Sequence, residues 1–123
     1  MAKLQSSAAQ SFDLEERTAK FGEKVIDFVN SLAHGRVLDI LVNQIVRSAT
    51  SVGANYTEAD CACSKKDFQH RINLCRKEAK ETKHWLRMIA KAEPKTKDSG
   101  RQLWQEAHEL TLIFSSILMS MKK

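Results

Sequence analysis

Four stretches of the chain repeat apolar side chains every three or four residues, and this repeat constrains the fold more than any other feature. The spacing places the apolar side chains on one face of an α-helix. The stretches are separated at His34-Gly35-Arg36, at Cys61 to Ser64 and at Pro94 to Gly100. Sustained alternation of period two and the Asn-Gly and Asp-Gly signals of a hairpin are absent from the sequence. The repeats predict an all-α fold, an antiparallel up-down-up-down four-helix bundle.

The apolar faces predict the core, and polar residues at their ends predict the helix limits. Asp13 with Glu16 is a capping-box-like start, Gly35 is a candidate C-cap, and Ser64 is a candidate N-cap. The predicted core residues are Phe21, Val25, Phe28, Leu32, Leu38, Leu41, Ile45, Ala49, Val52, Tyr56, Phe68, Ile72, Cys75, Ala79, Thr82, Leu86, Ile89, Leu103, Ala107, Leu110, Phe114, Ile117 and Met121.

Length and composition favour one ordered, soluble domain. The chain has 123 residues, 42% of them hydrophobic, with one Pro and four Gly. We expect residues 1–11 to be a disordered lead-in and residues 12–123 to form the bundle. The longest near-apolar run, 110–119, is shorter than the about 20 residues that a membrane span needs. The N-terminus lacks the apolar segment of a secretory signal, so we expect cytoplasmic localisation with reduced cysteines.

The third helical stretch carries a stripe of basic and polar side chains on one face and its apolar residues on the opposite face. Between Cys61 and Lys97 there are 11 Lys and Arg against 4 Asp and Glu, a local excess of +7 within a net +5. Polyanions, meaning RNA, DNA or an acidic protein surface, are the natural partners of such an excess. The alternative is an ordinary solvated face. The candidate nucleic-acid-binding residues are Lys66, His70, Lys77, Lys80, His84, Arg87 and Lys91, with Asn73 on the same face.

Nucleic-acid binding by this stripe is expected to tolerate sequence and to depend strongly on salt. Lys outnumbers Arg on it and few aromatic residues interleave with it, which favours phosphate contacts over base readout or stacking. At about 1.5 Å per residue, the helix from Lys66 to Lys91 is about 38 Å long.

A line of small and polar residues follows the apolar stripe of the second helix and predicts a polar seam against the third. Its simplest interpretation is structural, because small side chains let helices approach and buried polar groups must be paired. The second interpretation is a seam that contacts a ligand or partner. The residues of the seam and its ionic network are Arg47, Ser51, Asn55, Glu58, Arg76, Glu78 and Glu81.

Another face of the third helix combines charges with large apolar residues and is a candidate oligomer interface. Its residues are Arg71, Leu74, Trp85 and Met88. An exposed Trp is typical of a contact surface. The alternative is that Trp85 closes the core of its own chain. Trp104 is a weaker candidate for the same contact.

Signals for catalysis and for metal or cofactor binding are weak. Cys61 and Cys63 with His70 give three soft ligands, but a fourth at suitable spacing is missing. Glu58 with Glu81 could serve as paired carboxylates, although an ionic network explains them equally. Neither a nucleophile motif nor a Gly-rich phosphate loop is present. We therefore predict no enzymatic activity, no cofactor and no metal.

Several motifs resemble a known family of four-helix-bundle proteins. The matching segments are Gln44 to Ala59, Ser64 to Phe68, Lys77 to Thr82 with Trp85-Leu86, and Phe12 to Thr18 with Phe21. The family's founding members are bacterial proteins encoded in intervening sequences of large-subunit ribosomal RNA genes. The signature positions correspond here to Arg47, Ser51, Asn55, Glu58, Ser64, Phe68 and Glu81.

The resemblance implies an assembly and a partner class. The family is similar to the accessory variability proteins of diversity-generating retroelements, which form ring-shaped homopentamers whose basic surface engages nucleic acid and a reverse transcriptase. Many members have a Gly- and Arg-containing link after the signature Glu, whereas Ala59 to Cys63 here contains neither. A binding role for arginines in that link is therefore not carried over.

Together these observations predict a non-enzymatic oligomeric scaffold or adaptor, a homopentamer by resemblance. Its basic surface on the third helix would bind RNA, DNA or a nucleic-acid enzyme. The alternative is a protein-interaction module that docks an acidic partner and has no nucleic-acid role.

Overall fold

The protein is an all-α four-helix bundle, as the sequence predicts. The computed structural model describes the backbone of residues 2–122 and the side chains of residues 13–122. Its helices are α1 (Ala2–Asn30), α2 (Arg36–Asp60), α3 (Lys65–Ala92) and α4 (Lys97–Ser120), with a 3₁₀ turn at Pro94–Thr96. The described backbone contains no strand.

Successive helices are antiparallel neighbours. Between α2 and α3, Ser48 is paired with Thr82 and Val52 with Cys75, so the two helices run in opposite directions. α3 packs against α2 on one side and α4 on the other, and α1 packs mainly on α2. In the described part of the chain, no helix covers the outward face of α3, which lies between α2 and α4.

The core follows the predicted apolar faces, with one shift at the end of α4. Phe21, Ile45, Ile72 and Phe114 are fully buried, and each such side chain stabilises the fold by roughly 1.5–3 kcal/mol. Five residues expected in the core are only half-buried: Leu32, Leu41, Phe68, Ile117 and Met121. The last two lie at the end of α4. Leu118 and Thr111 are buried instead. The strict 4-3 repeat therefore drifts from the true core-facing positions, because a straight helix has 3.6 residues per turn.

The N-cap of α3 is confirmed, whereas the expected role of Gly35 is wrong. Ser64 Oγ accepts a hydrogen bond from the Asp67 backbone N–H at 3.0 Å. α1 ends at Asn30, before Gly35, and Gly35 has the extended backbone of an N-cap for α2, with φ −175° and ψ 157°. Its carbonyl accepts from the Asp39 N–H at 2.8 Å. Gly35 therefore begins a helix rather than ending one.

The helical backbone of α1 begins at Ala2, upstream of the capping-box-like pair at Asp13. The expected start at Asp13 is therefore wrong, since that residue lies inside the helix. Ala2 to Gln10 contains neither Gly nor Pro, so nothing in it interrupts a helix. The division into residues 1–11 and 12–123 stays a prediction.

Candidate nucleic-acid interface

The basic stripe of α3 lies on the outward surface of the bundle. The helix places these side chains opposite its buried residues, which include Ile72, Ala79 and Leu86. Every residue of the stripe is exposed: Lys66, His70, Asn73, Lys77, Lys80, His84, Arg87 and Lys91. The stripe is therefore one solvent-facing surface along the length of α3.

The cations of this surface form no ion pair with a carboxylate among the described side chains. The ion pairs among residues 13–122 join Arg17 to Glu106 and Glu109, Lys20 to Glu16, His34 to Asp39, and Arg47 to Glu78 and Glu81. None of these pairs includes a cation of the stripe. Its positive charge therefore remains available to a ligand.

The side of α3 that faces α2 is built differently, because its charges are paired. Arg47 on α2 contacts Glu78 at 3.2 Å and also contacts Glu81. The Trp85 indole N–H donates to Glu81 Oε1 at 3.2 Å. Partial burial raises the pKa of Glu81, but the hydrogen bond from Trp85 and the charge of Arg47 outweigh it, so the pKa is lowered. Partial burial lowers the pKa of Arg47, and Glu78 and Glu81 outweigh this effect to raise it.

The rest of the polar seam is joined by local hydrogen bonds. Ser51 Oγ donates to the Arg47 carbonyl at 2.6 Å, and Asn55 Nδ2 donates to the Ser51 carbonyl at 2.9 Å. Arg71 on α3 donates to Asn55 Oδ1 at 3.4 Å. These contacts satisfy polar groups of the seam, and the bond from Arg71 to Asn55 joins α2 to α3.

Glu58 and Arg76 do not join the ionic network that was expected to include them. Glu58 is exposed and is in none of the ion pairs of the described side chains. Arg76 donates instead to Asn73 Oδ1, one turn earlier on α3, at 2.9 Å. Arg76 lies on the α4 side of α3, where it lines a groove with Ser115. The spacing along α3 did not show which neighbour this residue would face.

That groove lies between α3 and α4 beside one end of the stripe. Its volume is about 460 Å³. It is lined by residues of both helices: Lys66, Gln69, His70, Asn73, Arg76, Ser115, Leu118, Met119 and Lys122.

Farther along the same edge, three residues from α3 and α4 form a cluster that the sequence did not indicate. The rings of Trp104 and His108 are stacked, with centroids 5.2 Å apart and planes 14° apart. Lys83 Nζ lies 5.1 Å from the centre of the Trp104 ring and 3.1 Å from His108 Nδ1. Lys83 lies between the two faces of the α3 pattern, so only the register of α4 brings the three together.

The candidate oligomer face is only half covered within one chain. Arg71, Leu74, Trp85 and Met88 are each half-buried. Trp85 packs against the core, as the alternative interpretation expects, and its indole N–H is satisfied by Glu81. The antiparallel register places the start of α2 level with the end of α3. Val37 and Ile40 there are 57% and 61% exposed, so large apolar side chains are exposed at the same end of the bundle as Met88.

The cysteines and the paired carboxylates are the candidates for metal binding and catalysis. No group of three or more His, Cys, Asp or Glu suited to a metal occurs among the described side chains. Cys61 and Cys63 are exposed and Cys75 is buried. Burial raises the pKa of the Cys75 thiol to about 12. Asn55 is hydrogen-bonded on both sides, and Glu81 is held by Arg47 and Trp85.

A membrane-spanning segment is not found either. Within the described part of the chain, each helix is too polar or too short to cross a bilayer.

Comparisons with known proteins agree with the motifs. The sequence profile described as 23S rRNA-intervening sequence protein matches residues 10–116, which extends the similarity through most of α4. A crystal structure of a protein of unknown function, described as from the S23 ribosomal protein family of Bacteroides thetaiotaomicron, superposes with a TM-score of 0.81. It is 28% identical, and the match covers 89% of this chain and 97% of that one. No curated protein matches. The chain belongs to the 23S rRNA-intervening sequence protein family.

Proposed function

We propose that this protein is a non-enzymatic cytoplasmic scaffold whose α3 stripe binds RNA or DNA through the phosphate backbone. The observation that carries the proposal is the uninterrupted exposure of the stripe cations, none of which is paired with a carboxylate among the side chains of residues 13–122. Like charges three or four residues apart on a helix destabilise it by roughly 0.2–0.5 kcal/mol per pair. A polyanion bound along the stripe would remove that cost.

The residue types favour backbone attraction over base readout. Lysine is a compact, mobile cation, whereas base recognition in grooves relies on the rigid fork of arginine. Arg87 is the single arginine on the stripe. We therefore expect sequence-tolerant binding whose affinity falls steeply as salt rises.

Oligomerisation would strengthen the binding by repeating the stripe. The apolar side chains of Val37, Ile40 and Met88 at one end of the bundle fit a contact with a second copy, because large exposed apolar residues mark interfaces. The family resemblance favours a ring-shaped homopentamer. In a closed ring the copies of the stripe would sum into one positive field, which could also engage a nucleic-acid enzyme with its bound strand.

The binding test compares two charge reversals of equal size. Lys77, Lys80 and Arg87 are replaced together by Glu, and the control replaces Lys20, Lys24 and Arg36, which lie on α1 and at the start of α2. Affinity for structured RNA and duplex DNA is measured by fluorescence anisotropy across a salt series. The stripe variant is expected to lose at least about 100-fold at low salt, since three phosphate contacts become repulsive. Equal losses in both variants would reject the stripe as the site.

The assembly test is a mass measurement by light scattering. We expect five times the 14.0 kDa of one chain, and a smaller mass for Ile40→Asp, because a buried unpaired charge strongly destabilises an interface. Leu112→Asp, at an exposed α4 position outside the proposed interface, is the control. A wild-type monomer would remove the assembly from the proposal.

A second candidate function is docking of an acidic protein partner. It is favoured by two exposed apolar residues of α4, Leu112 at 55% and Met119 at 66%. Met119 borders the stripe at the α3–α4 groove. Nucleic acid that co-purifies with the protein, seen as a high ratio of absorbance at 260 nm to that at 280 nm, would favour the first function over this one.

A further inference from the structure

We propose that Trp104 is a stacking platform for unpaired bases, so that the strand bound by the α3 stripe is single-stranded. This inference rests on the proposed function, and it names the class of nucleic acid. It concerns the edge of the stripe at which residues of α4 lie beside α3.

The indole of Trp104 is exposed and contacts two neighbouring side chains. Trp104 is 38% exposed, although it stacks on His108 at a centroid separation of 5.2 Å. Lys83 reaches toward the same pair, 5.1 Å from the indole centre and 3.1 Å from His108 Nδ1. Lys83 and His108 are too close together to lie on opposite faces of the indole, so both contact it from one side. A side chain held in this way loses little conformational freedom when a ligand stacks on its other face.

The cluster adjoins the proposed phosphate contacts. Lys83 is three residues after Lys80 and four before Arg87, so it lies one helical turn from each. The Trp104 side chain on α4 contacts Lys83 on α3. A strand whose phosphates lie against Lys80 and Arg87 would therefore carry a base past the indole.

Only an unpaired base can use this platform. In a duplex each base face is covered by its neighbours, whereas a single strand or a hairpin loop offers free π-faces to an aromatic side chain. Such stacking tolerates every base, which agrees with a lysine-rich stripe that reads no sequence. Cations that follow a strand, combined with aromatic stacking, are the usual design of single-strand binding sites.

Fluorescence of Trp104 itself tests the inference. Trp85→Phe leaves Trp104 as the only indole of the chain, and Trp104→Phe leaves Trp85 as a matched reporter. Both proteins are titrated with an oligothymidylate of about 16 nucleotides and with duplex DNA of the same length, after circular dichroism has confirmed their folding. We expect the single strand to quench Trp104 and not Trp85, and the duplex to quench neither. Trp104→Leu should weaken the affinity for the single strand about ten-fold and the affinity for the duplex less than two-fold.

Three results would overturn the inference, and they differ in whether they also reject the proposed function. Binding of both ligands with no change in Trp104 emission would reject stacking and leave the stripe in place. No binding of either ligand at low salt would reject the proposed function together with the inference. Quenching of Trp104 by poly-glutamate but not by oligothymidylate would assign the platform to an acidic peptide.

Discussion

Charged and polar groups are paired on the side of α3 that faces α2, whereas the cations on its outward side have no carboxylate partner among the described side chains. Toward α2, Arg47 is paired with Glu78 and Glu81 and the buried hydroxyls of Ser48 and Thr82 are 2.8 Å apart. On the outward side, a whole row of cations has no carboxylate partner among the described side chains. The same helix thus fixes its register with one side and presents charge with the other. This contrast supports the proposal that the outward side of α3 binds a polyanion.

The largest expected contrast is in thiol reactivity, between the α2-facing side of α3 and the exposed loop before it. Cys75 contacts the Val52 carbonyl at 3.5 Å, and burial raises its thiol pKa to about 12. At pH 8 it should therefore hold roughly a thousand-fold less reactive thiolate than an ordinary cysteine. A chromogenic disulfide reagent is expected to modify Cys61 and Cys63 in the native protein and Cys75 only in urea. Modification of all three thiols at similar rates without denaturant would show that the α2-facing side of α3 is accessible to the reagent.

The next effect concerns the buried hydroxyl pair between α2 and α3. Thr82→Val keeps the shape of the side chain but removes the partner of Ser48 on α3, while Ser48 keeps its 3.3 Å hydrogen bond to the Ile45 carbonyl. The free energy of unfolding should fall by about 1 kcal/mol, because the buried hydrogen bond between the two helices is lost. The control is Lys80→Ala on the stripe, for which a change within about 0.5 kcal/mol is expected. Equal losses in urea denaturation would remove the distinction between the two sides.

A smaller, pH-dependent effect is expected at the Arg47 pair. The pKa of Glu81 is lowered in the folded state, so its stabilisation is present above its unfolded pKa and is lost as pH falls through the lowered value. Arg47→Met should therefore cost about 0.5–1 kcal/mol at pH 7, the range for a partly exposed ion pair, and less at an acidic pH low enough to protonate Glu81 in the folded state. Unfolding free energies at the two pH values measure this, with Arg36→Met as an unpaired control. A cost that is the same at both pH values would contradict the assigned role of the charge.

The smallest effect should have the opposite sign. Replacing Lys77 and Lys80 by Gln removes like-charge neighbours from the stripe, so stability should rise by roughly 0.2–0.5 kcal/mol at low salt. The gain should disappear at high salt, since exposed charges are then screened. Thermal unfolding at two salt concentrations measures it. A loss of stability would mean that these lysines are held by contacts within the chain.

The contrast between the two sides also explains what the sequence could predict. Ser64 as an N-cap and the opposed faces of α3 were predictable, because both depend on residues within one helix. Pairing of Arg47 with Glu78 and Glu81 was predictable because α2 and α3 are adjacent antiparallel helices. Arg76 was misassigned because its partner depends on the rotation of α3 between two neighbours.

The contact of Trp104 with Lys83 was beyond prediction for a related reason. It depends on the register of α4 against α3, and the apolar repeat of α4 is compatible with several registers. The drift that buries Leu118 in place of Met121 shows how weakly a regular repeat fixes that register.

The most direct test of the stripe is the salt dependence of nucleic-acid affinity after its charge is neutralised. Lys77, Lys80 and Arg87 are replaced by Gln, and the logarithm of the affinity for single-stranded DNA is measured against the logarithm of salt concentration. The slope should become shallower by roughly two to three, because binding releases fewer counterions when three phosphate contacts are lost. An unchanged slope would show that the strand does not lie on these residues, and would contradict the account.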